Sequence, residues 1–292
     1  MAKLNQTWTI GSILKWTEQY FQEKGVDTPR LDAEVLLSSV LEKERIYLYV
    51  HFDEPLESGE LARFREMVKK RALRIPVAYI LGRREFMGHE FKVTPDVLIP
   101  RPDTEILVES VIERLKHKGE LFFADIGTGS GAIALSILKA LPELKGAAVD
   151  ISAAALAVAK ENAANLGVSE RVEFLQGDLL EPLQGRRLGA IISNPPYIPD
   201  GDIDGLEAEV KKEPRGALAG GRDGLDFYRR LIREGGKLLE DGGLLAFEVG
   251  IYQAAAVKEL AEDAAIFENI AVIEDYGKIE RVVIMNKRVN GK

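Results

Sequence analysis

The chain contains no cysteine, which excludes disulfides and thiolate metal sites. Histidine is scarce too. The three present, His51, His89 and His117, lie far apart, and none forms the H-x-x-x-H spacing that sets two imidazoles on one helix face. No metal is expected to take part in the chemistry. No uninterrupted apolar run approaches the roughly 20 residues a membrane-spanning helix needs. The opening residues MAKLNQTWTIGSILKW lack an apolar h-region followed by a small-residue cleavage site, so no membrane is expected as a partner and the expected compartment is cytoplasmic. Basic charge is in deficit, with 39 Lys and Arg against 47 Asp and Glu and a formal net charge of −8. A field of that sign repels a phosphate backbone, so no direct nucleic-acid substrate is expected. Lys69, Lys70, Arg71 and Arg74 form a local exception, which reads as a solvated helix face in preference to a nucleic-acid stripe.

What remains is an ordinary globular composition, 46% apolar and 29% charged over 292 residues, enough for one large domain and a smaller one. Residues 1–82 read as helical. Ile10, Ile13, Leu14, Tyr20 and Phe21 fall on one stripe, ended by Gly25. Thr28-Pro29 has the form of an N-cap followed by proline, and Leu31, Val35, Leu36 and Val40 continue with helical spacing. A third helix is expected from Leu61 to Leu73. Residues 83–98 read as a bridging hairpin turning at Gly88, and 99–292 as a catalytic domain. In that last part a helix capped by Asp103 or Thr104 runs to Leu115. Strands at Leu121–Ile126, Gly146–Val149, Arg171–Leu175, Gly189–Ser193 and Leu244–Val249 then alternate with helices at Ala132–Leu141, Ser152–Leu166 and Phe227–Leu239. Strands Ile270–Asp275 and Arg281–Asn286 close the chain as a hairpin turning at Gly277. The expected fold is α/β: a Rossmann-like, mostly parallel seven-stranded sheet with a terminal antiparallel hairpin, plus a small N-terminal helical domain.

Asp125 leads into Gly127-Thr128-Gly129-Ser130-Gly131 between a strand and a helix. Glycines there let backbone approach a ligand, and helix-start N–H groups can meet a polar or anionic group. By itself the loop suits an NAD-binding turn equally well, because Gly127, Gly129 and Ala132 satisfy G-x-G-x-x-A. Asp150, ending the next strand, can accept from both ribose hydroxyls of either NAD or S-adenosylmethionine. Asp178 could accept from an adenine amino group with Leu179 packed on the ring; the alternative is a turn-forming Gly177-Asp178 pair.

Asn194-Pro195-Pro196-Tyr197 separates these readings. It directly follows a strand, so it should face the same crevice as the glycine loop. Hydride transfer has no need of it. Methyl transfer to an sp² nitrogen does, because the lone pair is delocalised and the NH₂ must be held in line with the methyl. The Asn194 side-chain oxygen and the Pro195 carbonyl can accept its two hydrogens, and both gain strength as positive charge develops. Pro195 and Pro196 stiffen the loop, and Tyr197 offers a flat face to a planar amide or base. Asn194, Pro195 and Tyr197 are therefore the expected catalytic residues, and Asn194 to Tyr197 the expected substrate contacts.

With those residues in place the chain resembles the PrmC/HemK family, the peptide chain release factor glutamine methyltransferases. The resemblance extends over nearly the whole length: Asp32 to Leu37, Pro76 to Gly82, Val97 to Glu105, Asp125 to Gly131, Asn194 to Ile198, Glu213-Pro214-Arg215 and Ala219 to Gly224. Asn-Pro-Pro-Tyr alone is shared with DNA adenine methyltransferases; the Pro100-Arg101-Pro102 stretch and Gly220-Gly221-Arg222-Asp223-Gly224 are more specific. The resemblance implies methyl transfer from S-adenosylmethionine, leaving S-adenosylhomocysteine, to the glutamine of a Gly-Gly-Gln tripeptide in class I release factors, which are the expected protein partners. It implies cofactor contacts at Gly127 to Gly131, Asp150, Leu179 and Asn194, and a helical domain that helps hold the protein substrate. Members often carry an aromatic residue where this chain has Leu179. Arg101 and Thr104 either border the methionine end of the cofactor or form a charged, capped helix start. The alternative function is a nucleic-acid amino-methyltransferase using the same four residues.

Overall fold

The computed structural model describes residues 7–289. They form two compact units, one running to Gly82 and including Ala208–Lys212, the other comprising Arg83–Glu207 and the chain from Glu213 onward.

The smaller unit holds α1 (Ile10–Glu23), α2 (Pro29–Leu41), α3 (Arg45–Val50), α4 (Ser58–Ala72) and α5 (Val77–Leu81). Thr9 and Ser12 close a reciprocal capping box on α1, whose Ile10, Ile13, Leu14 and Phe21 are buried. Pro29 takes the first turn of α2, as expected, but Thr28 makes no cap: its hydroxyl donates to Asp32 at 2.8 Å instead. The apolar stripe on α2 also differs. Leu31 is exposed, while Asp32 and Glu34 are buried among apolar neighbours. Each acid has cationic partners: Glu34 pairs with Arg30 and Arg45 and accepts from the Tyr49 hydroxyl, and Asp32 pairs with Arg71 at 2.7 Å. Arg71 also reaches Glu209 at 2.7 Å, and Arg74 reaches the same carboxylate at 2.6 Å. The basic cluster thus divides. Lys69 and Lys70 lie on the expected solvated face, whereas Arg71 is the buried hub of an ion network. The short helices α3 and α5 were not anticipated, since neither is long enough to show a period.

In the larger unit β1 (Arg83–Phe86) and β2 (His89–Lys92) form an antiparallel hairpin. Met87 and Gly88 both take positive φ, 51° and 71°, which matches the twist of the strands they join. Phe86 and Phe91 meet edge to face and are buried in the core of this unit. The Asn162 side chain accepts from the Lys92 N–H at 2.7 Å, and its amide donates to the carbonyls of Lys92 and Ser130. The hairpin is therefore fastened to the glycine loop.

Then follow α6 (Pro102–Leu115), β3 (Phe122–Ile126), α7 (Ala132–Ala140), β4 (Lys145–Asp150), α8 (Ala153–Leu166), β5 (Val172–Gln176), β6 (Leu188–Ser193), α9 (Asp226–Leu238), β7 (Leu239–Glu248), α10 (Ala254–Asp263), β8 (Phe267–Glu274) and β9 (Glu280–Lys287). The seven-stranded sheet has the order β5-β4-β3-β6-β7-β9-β8. All its pairings are parallel except those of β9 with β7 and β8. Period-two alternation decides the layers: Leu244 and Ala246 of β7 face the core containing α6 and α7, and Leu245 and Phe247 the core containing α9 and α10. Between β5 and β6 there is only a 3-10 turn, Glu181–Leu183. One expectation gives way: α6 begins at Pro102 with no side-chain cap. Thr104, expected to be a cap, lies inside the first turn with its hydroxyl buried.

Candidate active site

The strand order reverses between β3 and β6, so the crevice of the sheet opens at their carboxyl ends. Ile126 and Ser193 are register partners there. The next residues, Gly127 and Asn194, consequently leave neighbouring strands at the same level. The Ser193 hydroxyl donates to the Ile126 carbonyl at 2.7 Å, tying the two exits together.

Gly127 and Gly129 hold φ of 74° and 56°, and at each the direction a Cβ would take is open for 4 Å. Bare backbone thus faces free space, the arrangement a ligand backing onto a loop requires. Gly131 differs: a Cβ there would meet Leu135 at 2.8 Å, so it serves close packing of α7. Thr128 and Ser130 are buried and face inward. The Gly129 N–H donates to Asp150 at 2.9 Å, and the Ser152 N–H donates to the other Asp150 oxygen at 2.9 Å. Asp150 therefore braces the glycine loop against the start of α8, and the remaining lone pairs of its two oxygens are available to a ligand's hydroxyls. Asp178 is engaged by Arg230, which donates to both its oxygens at 3.2 and 2.7 Å. Leu179 beside it holds φ of 50° and packs partly buried against the sheet.

Beneath the loop Asp125 is fully buried. One oxygen accepts from Thr128 at 2.6 Å and from the Ala134 N–H at 3.2 Å; the other has no partner among the described residues. Burial pushes its carboxyl up to about 7 against those hydrogen bonds.

The Asn194 to Tyr197 segment is held from two sides. Ile198 and Ala219 form a parallel bridge, with the Ile198 N–H donating to Leu218 and the Gly220 N–H to Ile198. At Gly220 a Cβ would come 2.7 Å from the Tyr197 Cα and 2.8 Å from the Pro196 carbonyl oxygen; at Gly224 it would come 2.3 Å from the Tyr197 oxygen. Those two glycines are what lets this strap lie on the loop. From the start of α10 the Gln253 side chain donates to the Tyr197 carbonyl at 2.9 Å and accepts from the Gly250 N–H at 3.0 Å. Pro195 is buried, and burial pushes the Tyr197 phenol well above its usual value, so it stays neutral. The Asn194 side-chain NH₂ donates to Thr104 at 3.2 Å. Its oxygen makes no hydrogen bond among the described residues.

Sequence reasoning passed over two acids in this region. Glu248 ends β7 at 1% exposure beside Thr104 and Asn194, and Glu213 is buried where it accepts from the Ile99 N–H at 2.9 Å and pairs with Arg101. Arg101 is thus committed to Glu213. For Glu248 a signal existed: one acid inside the apolar run Leu244 to Val249. For Glu213 the signal was the Glu213-Pro214-Arg215 segment that carries the family resemblance, which by itself assigns the acid no role.

Residues 12–82 match the PrmC N-terminal domain family, and residues 102–210 the methyltransferase small domain. A "Release factor glutamine methyltransferase" from Moorella thermoacetica is 48% identical over 264 residues, covering 90% of this chain and 93% of its own. The protein of the same name from Geobacter sulfurreducens is 45% identical, covering 97% and 98%. Among solved structures, the hMettl16 catalytic domain in complex with MAT2A 3'UTR hairpin 6 aligns with a TM-score of 0.58 at 17% identity, over 77% of this chain and 83% of that one. A methyltransferase from Pyrococcus furiosus aligns with a TM-score of 0.51 at 17% identity, over 68% and 89%. At such identities these two speak for the fold alone, that of class I methyltransferases. No helix among the described residues is long and apolar enough to cross a membrane.

Proposed function

The chain belongs to the release factor glutamine methyltransferase family, and on that footing we propose that it methylates the side-chain amide nitrogen of the glutamine in the Gly-Gly-Gln motif of class I peptide chain release factors. S-adenosylmethionine is the donor, supplying an electrophilic methyl on a sulfonium. The observation that carries the reading is the pairing of Ile126 with Ser193, which brings the open glycine loop and Asn194 out at one level of the sheet.

Gly127, Thr128, Gly129, Ser130 and Gly131 cradle the cofactor with Asp150 at its ribose, and Asp178, Leu179 and Asn194 complete its surroundings. The open Cβ directions at Gly127 and Gly129 fit that role. Asp178 contributes through the oxygen lone pairs that Arg230 leaves free. Asn194 accepts one substrate N–H through its unengaged oxygen and the Pro195 carbonyl accepts the other. Pro196 keeps the loop stiff, and Tyr197, neutral and clamped by Gln253, lies against the amide plane. Both acceptors act hardest when charge appears on nitrogen, so they favour the transition state over bound substrate. The helical unit recognises the protein substrate, and its groove lined by Trp8, Trp16, Tyr20 and Phe64 is a suitable apolar face. The reaction takes place in the cytoplasm.

Incubation with methyl-labelled cofactor, a release factor and its Gln→Ala counterpart, followed by mass spectrometry, should place one label on the Gly-Gly-Gln glutamine and none on the control. Label elsewhere, or equal label on both, would remove the substrate assignment. Trp16→Ala should raise KM for the release factor while leaving cofactor affinity alone; an unchanged KM would remove the role given to the groove.

A further inference from the structure

An asparagine amide has nearly the same shape either way round, so its neighbours decide which end faces a ligand. In this site the catalytic assignment requires the oxygen to face the substrate, and something must hold it there. We propose that Glu248 is the positioning residue for Asn194: with Thr104 it forms a buried acceptor set that only the NH₂ end of Asn194 can face, leaving the amide oxygen for the substrate nitrogen. The inference rests on the methyltransferase reading above.

The geometry has a direction. Asn194 donates to the Thr104 hydroxyl at 3.2 Å. Thr104 has a single proton, and the Thr104 and Asn194 side chains both lie against the Glu248 carboxylate, where each favours its ionised form. An ionised carboxylate only accepts, so turning the amide over would set oxygen against oxygen beside a buried carboxylate. Glu248 is 1% exposed, and its Oε2 has no partner among the described residues. The element carrying it is firmly placed as well, because the Tyr228 hydroxyl donates to the Glu248 carbonyl at 2.8 Å. A buried acid with one idle oxygen is expensive to keep for structure alone.

Burial, opposed by the Thr104 and Asn194 hydrogen bonds, pushes the Glu248 carboxyl up to about 7. The groups that face it are Asp103 of α6, Arg281 of β9, Tyr197 after β6 and Tyr228 of α9. When the carboxyl takes a proton it becomes a donor as well, and the constraint on the amide relaxes. Orientation should therefore strengthen as pH rises through about 7.

The test uses the full chain labelled with nitrogen-15, with the Asn194 side-chain signal identified by its loss in Asn194→Asp. In the wild type that NH₂ signal should shift with pH around a midpoint near 7, and in Glu248→Gln and Thr104→Val it should not. With a release factor at pH 8, both variants should lose at least tenfold in kcat, with KM for S-adenosylmethionine and for the release factor within twofold. The wild-type rise of kcat between pH 6 and 8 should flatten in Glu248→Gln. An Asn194 signal indifferent to pH, or titrating identically in wild type and Glu248→Gln, overturns the proposal, as does a Glu248→Gln kcat within twofold of wild type. If the titration is seen but the wild type methylates no release factor, the substrate assignment falls and the positioning contact stands.

Discussion

Gly220→Ala is the sharpest single test of how the active-site loop is held. A Cβ at this position would sit 2.7 Å from the Tyr197 Cα, 2.8 Å from the Pro196 oxygen and 2.9 Å from the Gly224 Cα. All three are backbone atoms, so no side-chain rotation can relieve the contact. To regain ordinary separation the 194–198 segment and the strap must part by several tenths of an ångström, straining the hydrogen bond from the Gly220 N–H to the Ile198 carbonyl at 2.8 Å. Overpacking of this kind costs about 1–3 kcal/mol. Activity should suffer more than stability, because a displacement of about 1 Å at reacting groups costs about 100-fold, and several tenths correspond to roughly 10- to 30-fold in kcat. The assay is steady-state transfer to a release factor at saturating substrates, beside urea unfolding and calorimetric cofactor binding. Gly216→Ala is the control: it lies four residues upstream, is exposed, and has nothing within 4 Å of the new methyl. It should be neutral or stabilising by up to about 1 kcal/mol with unchanged kcat. If Gly220→Ala matches Gly216→Ala in kcat, the strap does not set the position of the loop.

Asn194→Ala should lower kcat about 100- to 1,000-fold while S-adenosylmethionine affinity, read by calorimetry, changes little; wild-type turnover would remove it from the reaction. Burial raises the Asp125 carboxyl to about 7 in the folded protein, against an ordinary value of 3.8 when unfolded. Because the folded state holds the proton more tightly, the cost of ionising this buried acid, about 3–4 kcal/mol at full effect, is present above pH 7 and is relieved as pH falls toward 4. Asp125→Asn should therefore gain stability relative to wild type at pH 8 and lose more than half of that advantage by pH 5. Urea midpoints at the two pH values decide this, and a constant difference would refute it. Asp32→Ala leaves Arg71 with half its partners in the interior and should cost roughly 3–5 kcal/mol in urea unfolding, with cofactor affinity unchanged.

The larger unit was legible in the sequence because its strands are short apolar runs punctuated by glycine and proline, and because the Asn194 to Tyr197 segment follows one of them directly. What stayed hidden follows from how the signals arise. Helices α3 and α5 are 6 and 5 residues long, less than two turns, so no period develops. Ala254 to Asp263 packs only three buried residues, too faint a stripe to stand out. In α2 the buried positions are acids whose cationic partners, Arg45 and Arg71, lie 11 and 39 residues away, and a pattern of apolar residues cannot reveal a long-range ion pair. Thr104 invited the wrong role, since a threonine two residues after a proline resembles a cap until its hydroxyl is found accepting from Asn194. Glu248 was legible as one acid inside the apolar run Leu244 to Val249, but its neighbours Thr104 and Asn194 come from distant parts of the chain, so the sequence gives it no role.

Because Ala208–Lys212 belongs to the same body as the first 82 residues, the helical unit is discontinuous in the gene. A fragment that stops after Gly82 leaves out Glu209, the carboxylate shared by Arg71 and Arg74, and the complementary fragment carries that acid with neither cation. Truncation at the linear boundary would thus yield two damaged halves, and inactivity in either would say little about substrate recognition. Mapping the division of labour calls for substitutions in the intact chain, or for a helical fragment to which the five-residue return segment has been grafted.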